Sequence, residues 1–439
     1  MLRRIVFCGI CSVLGCRDVP IGRQLPSDAV EGALPTPAGA LTVRALEADE
    51  SGRTYLLAEF EGTLSLGGAD VSAQSPESRD GLLLAFDADG NLRWHVQMSA
   101  TFVTLIRLVQ VGDELLVAGF FRGTLSDGTP TETSDRSQAA FYARYNTLGD
   151  RTDLLVIRSA SGFANVQAKG VDGDGTRTLR CGHYLDEIDF GGPPLPNADV
   201  LGDNGFVALA RGDSTEWTQP FIAEEAPTGQ GVFVQDCAFA DRGLFAGGVY
   251  EGSVTHPLGS EVADETDAYV LAFEDAGAPR WARIISGPGD QELNHLEARG
   301  DRVLIGGTSD QPFDVAGRSA PAGGYVAMFN AEGTTEWVLS IEDGSPQAID
   351  ADNLLVSGSF GTPTRGWTPV GGNDGFVVGL AEDGSVRWSR TFGSVGNDRC
   401  HVHGAGDDVV VACVFEDAYT SGEGTALPAG GLLLRRFRP

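Results

Sequence analysis

Apolar residues along this chain fall in short runs punctuated by Gly, Asp and Asn. The pattern is clearest between Glu292 and Ile341. Residues 292–298 alternate, Gly300-Asp301 makes a turn, and Arg302 to Thr308 (RVLIGGT) is a second run. A variable stretch, Ser309 to Ala322, separates it from a third run, Gly323 to Phe329. The turn Ala331-Glu332-Gly333 leads to a fourth run, Thr334 to Ile341, which carries Trp337. Alternation, β-branched residues and Gly/Asp turns predict four strands rather than helices. No segment of useful length has helical periodicity.

The same four runs recur. The second run returns as TYLLAEFEG at 54, LLVAGFFRG at 115, TLRCGHYLD at 178, LFAGGVYEG at 244, LLVSGSFGT at 354 and VVVACVFED at 409. The third begins near 81, 139, 204, 267, 323, 374 and 430, which is seven copies. Four antiparallel strands repeated in this way predict an all-β chain: a seven-bladed β-propeller of four-stranded blades. An open solenoid is the alternative. The last copy, Gly431 to Pro439, has no fourth run after it. The last blade is therefore expected to close with a strand drawn from residues 24–40, because closure removes open sheet edges.

The phrases V-x-x-F-x-x-x-G-x-x-x-W and L-V-x-G-x-F-x-G, spread over residues 40–439, resemble the propeller repeats of secreted and lipid-anchored bacterial proteins of the myxobacterial type. The resemblance implies fold and export. It carries over no catalytic residue.

The N-terminus divides into three parts. Residues 1–16 read as a signal peptide with basic Arg3 and Arg4, an apolar stretch from Ile5 to Gly15, and Val13-Leu14-Gly15-Cys16. That tetrad resembles a bacterial lipobox, although Leu14 stands where a smaller residue is commoner. Lipidation is expected at Cys16, with a plain secretory signal as the alternative. Such an anchor tethers a protein to a membrane without embedding it. Residues 17–39, with Pro20, Pro26, Pro35 and Pro37, read as a tether, and 40–439 as the propeller.

Composition narrows the partners. The formal net charge is −30, with 31 Lys and Arg against 61 Asp and Glu. That balance argues against nucleic acid and against a basic membrane-binding patch. Lys169 is the sole lysine. Outside the leader the cysteines are Cys181, Cys237, Cys400 and Cys413, an even number that permits two bridges in an exported chain. Counting back from a turn at 405–408 sets Cys400 opposite Cys413, so a disulfide is expected there. Cys181 and Cys237 fall in consecutive repeats and either pair or remain as buried thiols.

Candidate chemistry is sparse. Trp94, Trp217, Trp281, Trp337 and Trp388 occupy equivalent places in the fourth strand and read as packing between blades. A quinone-cofactor reading of the Asp-x-Asp-Gly-x-x-x-Trp phrase is the alternative. The acidic turns 87–90, 172–175 and 382–384 serve hairpins. None continues into a full calcium loop, so a structural Ca²⁺ is the remote alternative and no other cofactor is expected. His401 and His403 share one face of a strand, a weak metal pair that Asp398 would join. There is no nucleophile elbow and no phosphate loop.

The favoured reading is a cell-envelope binding or scaffold lipoprotein that recognises a protein or glycan through its rim loops. The alternatives are a glycan-active or quinone-dependent enzyme, and a simple spacer.

Overall fold

In the computed structural model, the described residues are 30–34, 41–66, 69–74, 79–129, 132–190, 194–196, 202–224, 231–421 and 426–439. The leader, Cys16 and most of the tether lie outside them. Among the described residues all regular structure is β, in antiparallel meanders arranged as a propeller.

Five meanders stand as separate four-stranded sheets. The first comprises Leu41–Ala48, Thr54–Glu61, Arg79–Phe86 and Leu92–Met98. The second runs from Phe102–Val111 to Arg151–Ile157. Two more span Gln291–Arg299 to Thr335–Ile341 and Gly344–Asp350 to Val386–Phe392. The last combines Asp398–Ala405, Asp408–Phe415 and Leu432–Phe437 with Val30–Leu34.

The middle of the chain corrects the expectation of seven separate four-stranded blades. There are five such blades, and two further meanders, starting at Val166 and Val232, are merged in one ten-stranded sheet. The cause is an outer ribbon. Strand Gly243–His256 overruns its own meander, and Ser253 to Thr255 pair with Ile222 to Glu224 of the preceding one. Beyond it, Ile285 and Ser286 pair with Val315 and Asp314.

The outer strand Val30–Leu34 pairs antiparallel with Leu432–Phe437, Val30 opposite Arg436. It lies within the segment read as a tether and inside the window expected to supply closure.

The core lies between the sheets. Seven apolar clusters each join one meander to the next, and the series returns to its start. Leu56, Leu82 and Leu84 of the first sheet pack with Val410, Ala412 and Leu432 of the last. Each fully buried Leu or Phe contributes about 1.5–3 kcal/mol, so this ring of interfaces dominates stability.

Four of the tryptophans lock neighbouring meanders. The indole N–H groups of Trp94, Trp217, Trp281 and Trp337 donate to the carbonyls of Thr147, Asp275, Ala331 and Glu382, each in a turn of the next meander. A left-handed glycine of that turn sits against each indole face: Gly149, Gly277, Gly333 and Gly384. Trp388 differs. The outer strand beside it comes from Val30–Leu34 and not from a hairpin, so Nε1 is buried without a partner and the ring packs on Phe437.

Both disulfides form. Cys400 and Cys413 are directly opposed, with Cα atoms 4.2 Å apart. Cys181 and Cys237 join two consecutive meanders. Two bridges are what an oxidising compartment, extracellular or periplasmic, permits.

Strand direction alternates within a meander. First-to-second and third-to-fourth turns therefore share one face of the propeller. Second-to-third connections and the links between meanders share the other, the loop face. The hairpins Thr63–Leu66 with Ala69–Ser72, Phe313–Val315 with Ser319–Ala320, and Tyr419–Thr420 with Ala426–Leu427 all belong to the loop face.

Candidate functional site: the central channel

The first strands of all seven meanders line one central cavity of about 70 Å³. Each enters from the loop face. Six carry a β-bulge at the same place, between Val43 and Ala45, Leu105 and Arg107, Ala168 and Gly170, Val234 and Asp236, Leu293 and His295, and Pro346 and Ala348. The extra residues are Arg44, Ile106, Lys169, Gln235, Asn294 and Gln347, and all six line the cavity. A bulge re-aims a side chain that regular pleating would turn elsewhere. The seventh strand has continuous register through Cys400, His401 and Val402, and there the disulfide replaces the bulge.

The neighbouring strand makes room for five of the six bulges with a glycine. At Gly119, Gly182, Gly248, Gly307 and Gly358 an added Cβ would lie 1.8–2.3 Å from a carbonyl oxygen of the bulged strand. This is the Gly of the repeated L-V-x-G-x-F phrase. A glycine inside a strand marks a close backbone approach. It is the signal from which the bulges, absent from the sequence reading, were recoverable.

Three residues beyond each bulge lies a second ring. It holds Glu47, Asp172, Glu297 and Asp350, with His403 on the seventh strand. Three of its carboxylates each stitch a meander to the next. Asp172 accepts the backbone N–H of Phe239 at 2.8 Å, Glu297 that of Ala351 at 3.0 Å, and Asp350 that of Gly404 at 2.6 Å. Two positions nearer the bulges, Asp236 accepts from Leu296. Arg107 crosses the channel, with Nη2 2.8 Å from Glu297 Oε1 and Nε 3.9 Å from Asp236 Oδ1.

Burial sets the titration of this ring. It pushes Glu297 up to about 7, against the opposing pull of Arg107. It pushes Asp172 up to about 6. Burial drives His295 down to about 3 and His401 down to about 4, each helped by an arginine, Arg107 and Arg44 respectively. Burial alone would also depress His403, but the Glu47 and Asp350 carboxylates raise it to about 10.

His401 and His403 therefore share the channel wall but hold different partners. His403 is ion-paired with Glu47, and Nδ1 of His401 is buried without a hydrogen-bond partner. Asp398 is not brought to them. It is fully buried and accepts hydrogen bonds from Ser394 and Glu416. No cluster of three metal-ligating side chains occurs among the described residues. The acidic turns act as turns, Asp87 capping Asp89 and Asn91, and Asp383 capping Ser385. Asp172 belongs to the carboxylate ring.

Pockets that hold organic ligands span about 300–1,000 Å³. The channel cavity is far smaller. It fits a few waters or a small ion, and neither a quinone cofactor nor a sugar ring fits it.

The loop face presents a different surface. Among the described residues the exposed large apolar side chains are Phe102, Phe163, Leu258, Val262, Val370, Val395 and Leu148. Phe163, Val370 and Val395 lie in connections or links on the loop face, Phe102 opens a first strand where it enters from that face, and Leu258 and Val262 lie on the ribbon that extends a second-to-third hairpin.

No family profile matches this sequence, and no curated protein matches it. Solved structures give weak likenesses. A dihydro-heme d1 dehydrogenase, NirN in complex with DHE, is 10% identical with a TM-score of 0.40, covering 90% of this chain and 78% of its own. The polysaccharide lyase Uly1 is 9% identical with a TM-score of 0.41, covering 90% and 89%. A variant of the Synechocystis apocarotenoid oxygenase is 12% identical with a TM-score of 0.38, covering 94% of each chain. At these values the likeness assigns no reaction and no substrate.

Proposed function

We propose that this protein is a seven-bladed propeller that binds a protein partner at the cell envelope through its loop face. One observation carries the reading: among the described residues Phe102, Phe163, Leu258, Val262, Val370 and Val395 are exposed toward that face, against Leu148 alone on the other. Exposed apolar side chains gathered on one face, among polar loops, are a mark of an interaction surface. Four of the six are aliphatic, which suits a protein surface. A glycan is the second reading, supported by the exposed rings of Phe102 and Phe163.

The count of seven blades is supported by seven channel-lining strands and seven inter-sheet clusters. On this view the ten-stranded sheet is two blades joined by an outer ribbon. Export is supported by the two disulfides, and anchoring in the outer membrane or at the cell surface by the Val13-to-Cys16 tetrad.

The test is site-specific photo-crosslinking in the producing cell. A photoreactive residue replaces Val370, Val395 or Leu148. Adducts from the first two positions and none from Leu148 support the reading. Adducts from Leu148 alone, or from none of the three, sink it.

A further inference from the structure

We propose that the loop-face half of the channel is a binding site for a small oxyanion, held among Arg44, Lys169, Gln235, Asn294 and His401. The five residues line one cavity, and four of them are there because of a bulge. Every one carries nitrogen, and their hydrogen-bonding capacity is largely unspent.

Lys169 has no carboxylate within ion-pair distance among the described residues. Its Nζ lies 5.5 Å from the centre of the Phe120 ring. The side-chain amides of Gln235 and Asn294 make no hydrogen bond to the described protein. Arg44 spends one nitrogen on Glu59 at 2.7 Å, and its Nε is buried without a partner. His401 is 6% exposed, and its Nδ1 also lacks a partner. Buried polar atoms in native proteins are nearly always satisfied, so the partnerless Arg44 Nε and His401 Nδ1 beside one cavity point to an occupant, with Lys169, Gln235 and Asn294 partly or fully exposed around them.

The charge of that occupant follows from what is already neutralised. Carboxylates deeper in the channel are engaged by Arg107, His403 and backbone N–H groups. They are not free to balance Lys169. Burial, and then the nearby Arg44, lower the proton affinity of Lys169, and Asp203 opposes them without reversing the shift, so the cation is only partly balanced. An anion between Lys169 and Arg44 relieves both. The cavity of about 70 Å³ limits it to an ion of phosphate or sulfate size, or to one carboxylate group. The site is independent of whatever docks on the loop face.

The experiment is calorimetric titration of the whole protein at fixed ionic strength, with sulfate, inorganic phosphate and glucuronate as separate probes. Wild type is compared with Lys169→Met and with Asn294→Ala, the latter at an exposed position that folding tolerates. We expect saturable one-site binding, about tenfold weaker without Lys169, the loss of one charge-assisted hydrogen bond. Binding should also weaken measurably in Asn294→Ala. Without anion, Lys169→Met should melt at or above the wild-type temperature, because a half-buried charge that is only partly balanced is gone. Binding of the inorganic ions alone identifies a free ion as the ligand. Equal binding of glucuronate identifies a pendant carboxylate. No saturable binding of any probe overturns the proposal. So does equal affinity in wild type and Asn294→Ala, whatever the fate of the lysine variant.

Discussion

Nε2 of His403 lies 3.3 Å from Oε2 of Glu47, joining the last channel strand to the first. Elsewhere in the ring a carboxylate accepts a backbone N–H from the next strand. At the seam this ion pair takes that place. His403→Gln should cost roughly 3 kcal/mol, the usual penalty for breaking a largely buried pair. Chemical denaturation of the two proteins at pH 7 checks it.

The same pair gives a pH signature. His403 is raised to about 10, above its ordinary value of 6.5. A raised histidine contributes stability that is complete below about pH 6.5 and fades as pH climbs through 10. The difference between wild type and His403→Gln should therefore shrink between about pH 7 and pH 10. A constant difference across that window would mean that the pair is not charged.

Glu297 should show the same direction over a lower pH window, for a different reason. Burial holds it at about 7, above the ordinary carboxylate value, so its ionisation opposes folding. The cost grows as pH rises from about 4.5 to 7 and then stays constant. Relative to Glu297→Gln, wild type should lose stability over that interval. Unfolding free energies at pH 5 and pH 8 give the comparison.

The two disulfides should differ in worth. They close loops of 56 and 13 residues. Loop-closure entropy then assigns about 4 kcal/mol to Cys181–Cys237 and about 3 kcal/mol to Cys400–Cys413. Paired Cys→Ser variants melted under oxidising conditions test the order. A larger loss at Cys400–Cys413 would show that its native packing outweighs chain entropy.

Two tryptophans separate a hydrogen bond from plain packing. Trp337→Phe loses the bond to the Glu382 carbonyl and should cost about 1 kcal/mol beyond the lost apolar area. Trp388→Phe removes a donor that has no partner, so its cost should be visibly smaller. Equal losses would contradict the difference between the two indoles.

Much of this architecture was legible in local pattern. Period-two runs and Gly/Asp turns located the strands, and counting from one turn paired Cys400 with Cys413. What stayed hidden was non-local. Arg107 and Glu297 are 190 positions apart, and no sequence period announces that they meet across a channel. Asp172 reads as a turn acid, yet its partner N–H belongs to Phe239. The merger of two meanders rests on Ile222 to Glu224 meeting an overlong ribbon, a length effect invisible to the repeat. The bulges were half legible, since the repeated glycine gives the close approach but not which side chain it redirects. The site residues Lys169, Gln235 and Asn294 share no residue type and occupy the same bulge position, so only geometry unites them.

Strand Val30–Leu34 finds its partner 406 positions away, Val30 opposite Arg436 (436 − 30). A ribosome delivers the first of these long before the second. The early strand must wait, edge exposed, while every intervening sheet is made. Contact order is thus highest at the closing step, and that step is expected to be the slowest. Until it happens the protein is an open arc with two adhesive edges. A copy caught in that state pairs most readily with another like it, so the hazard this molecule faces is exchange of its first strand between neighbours during biogenesis.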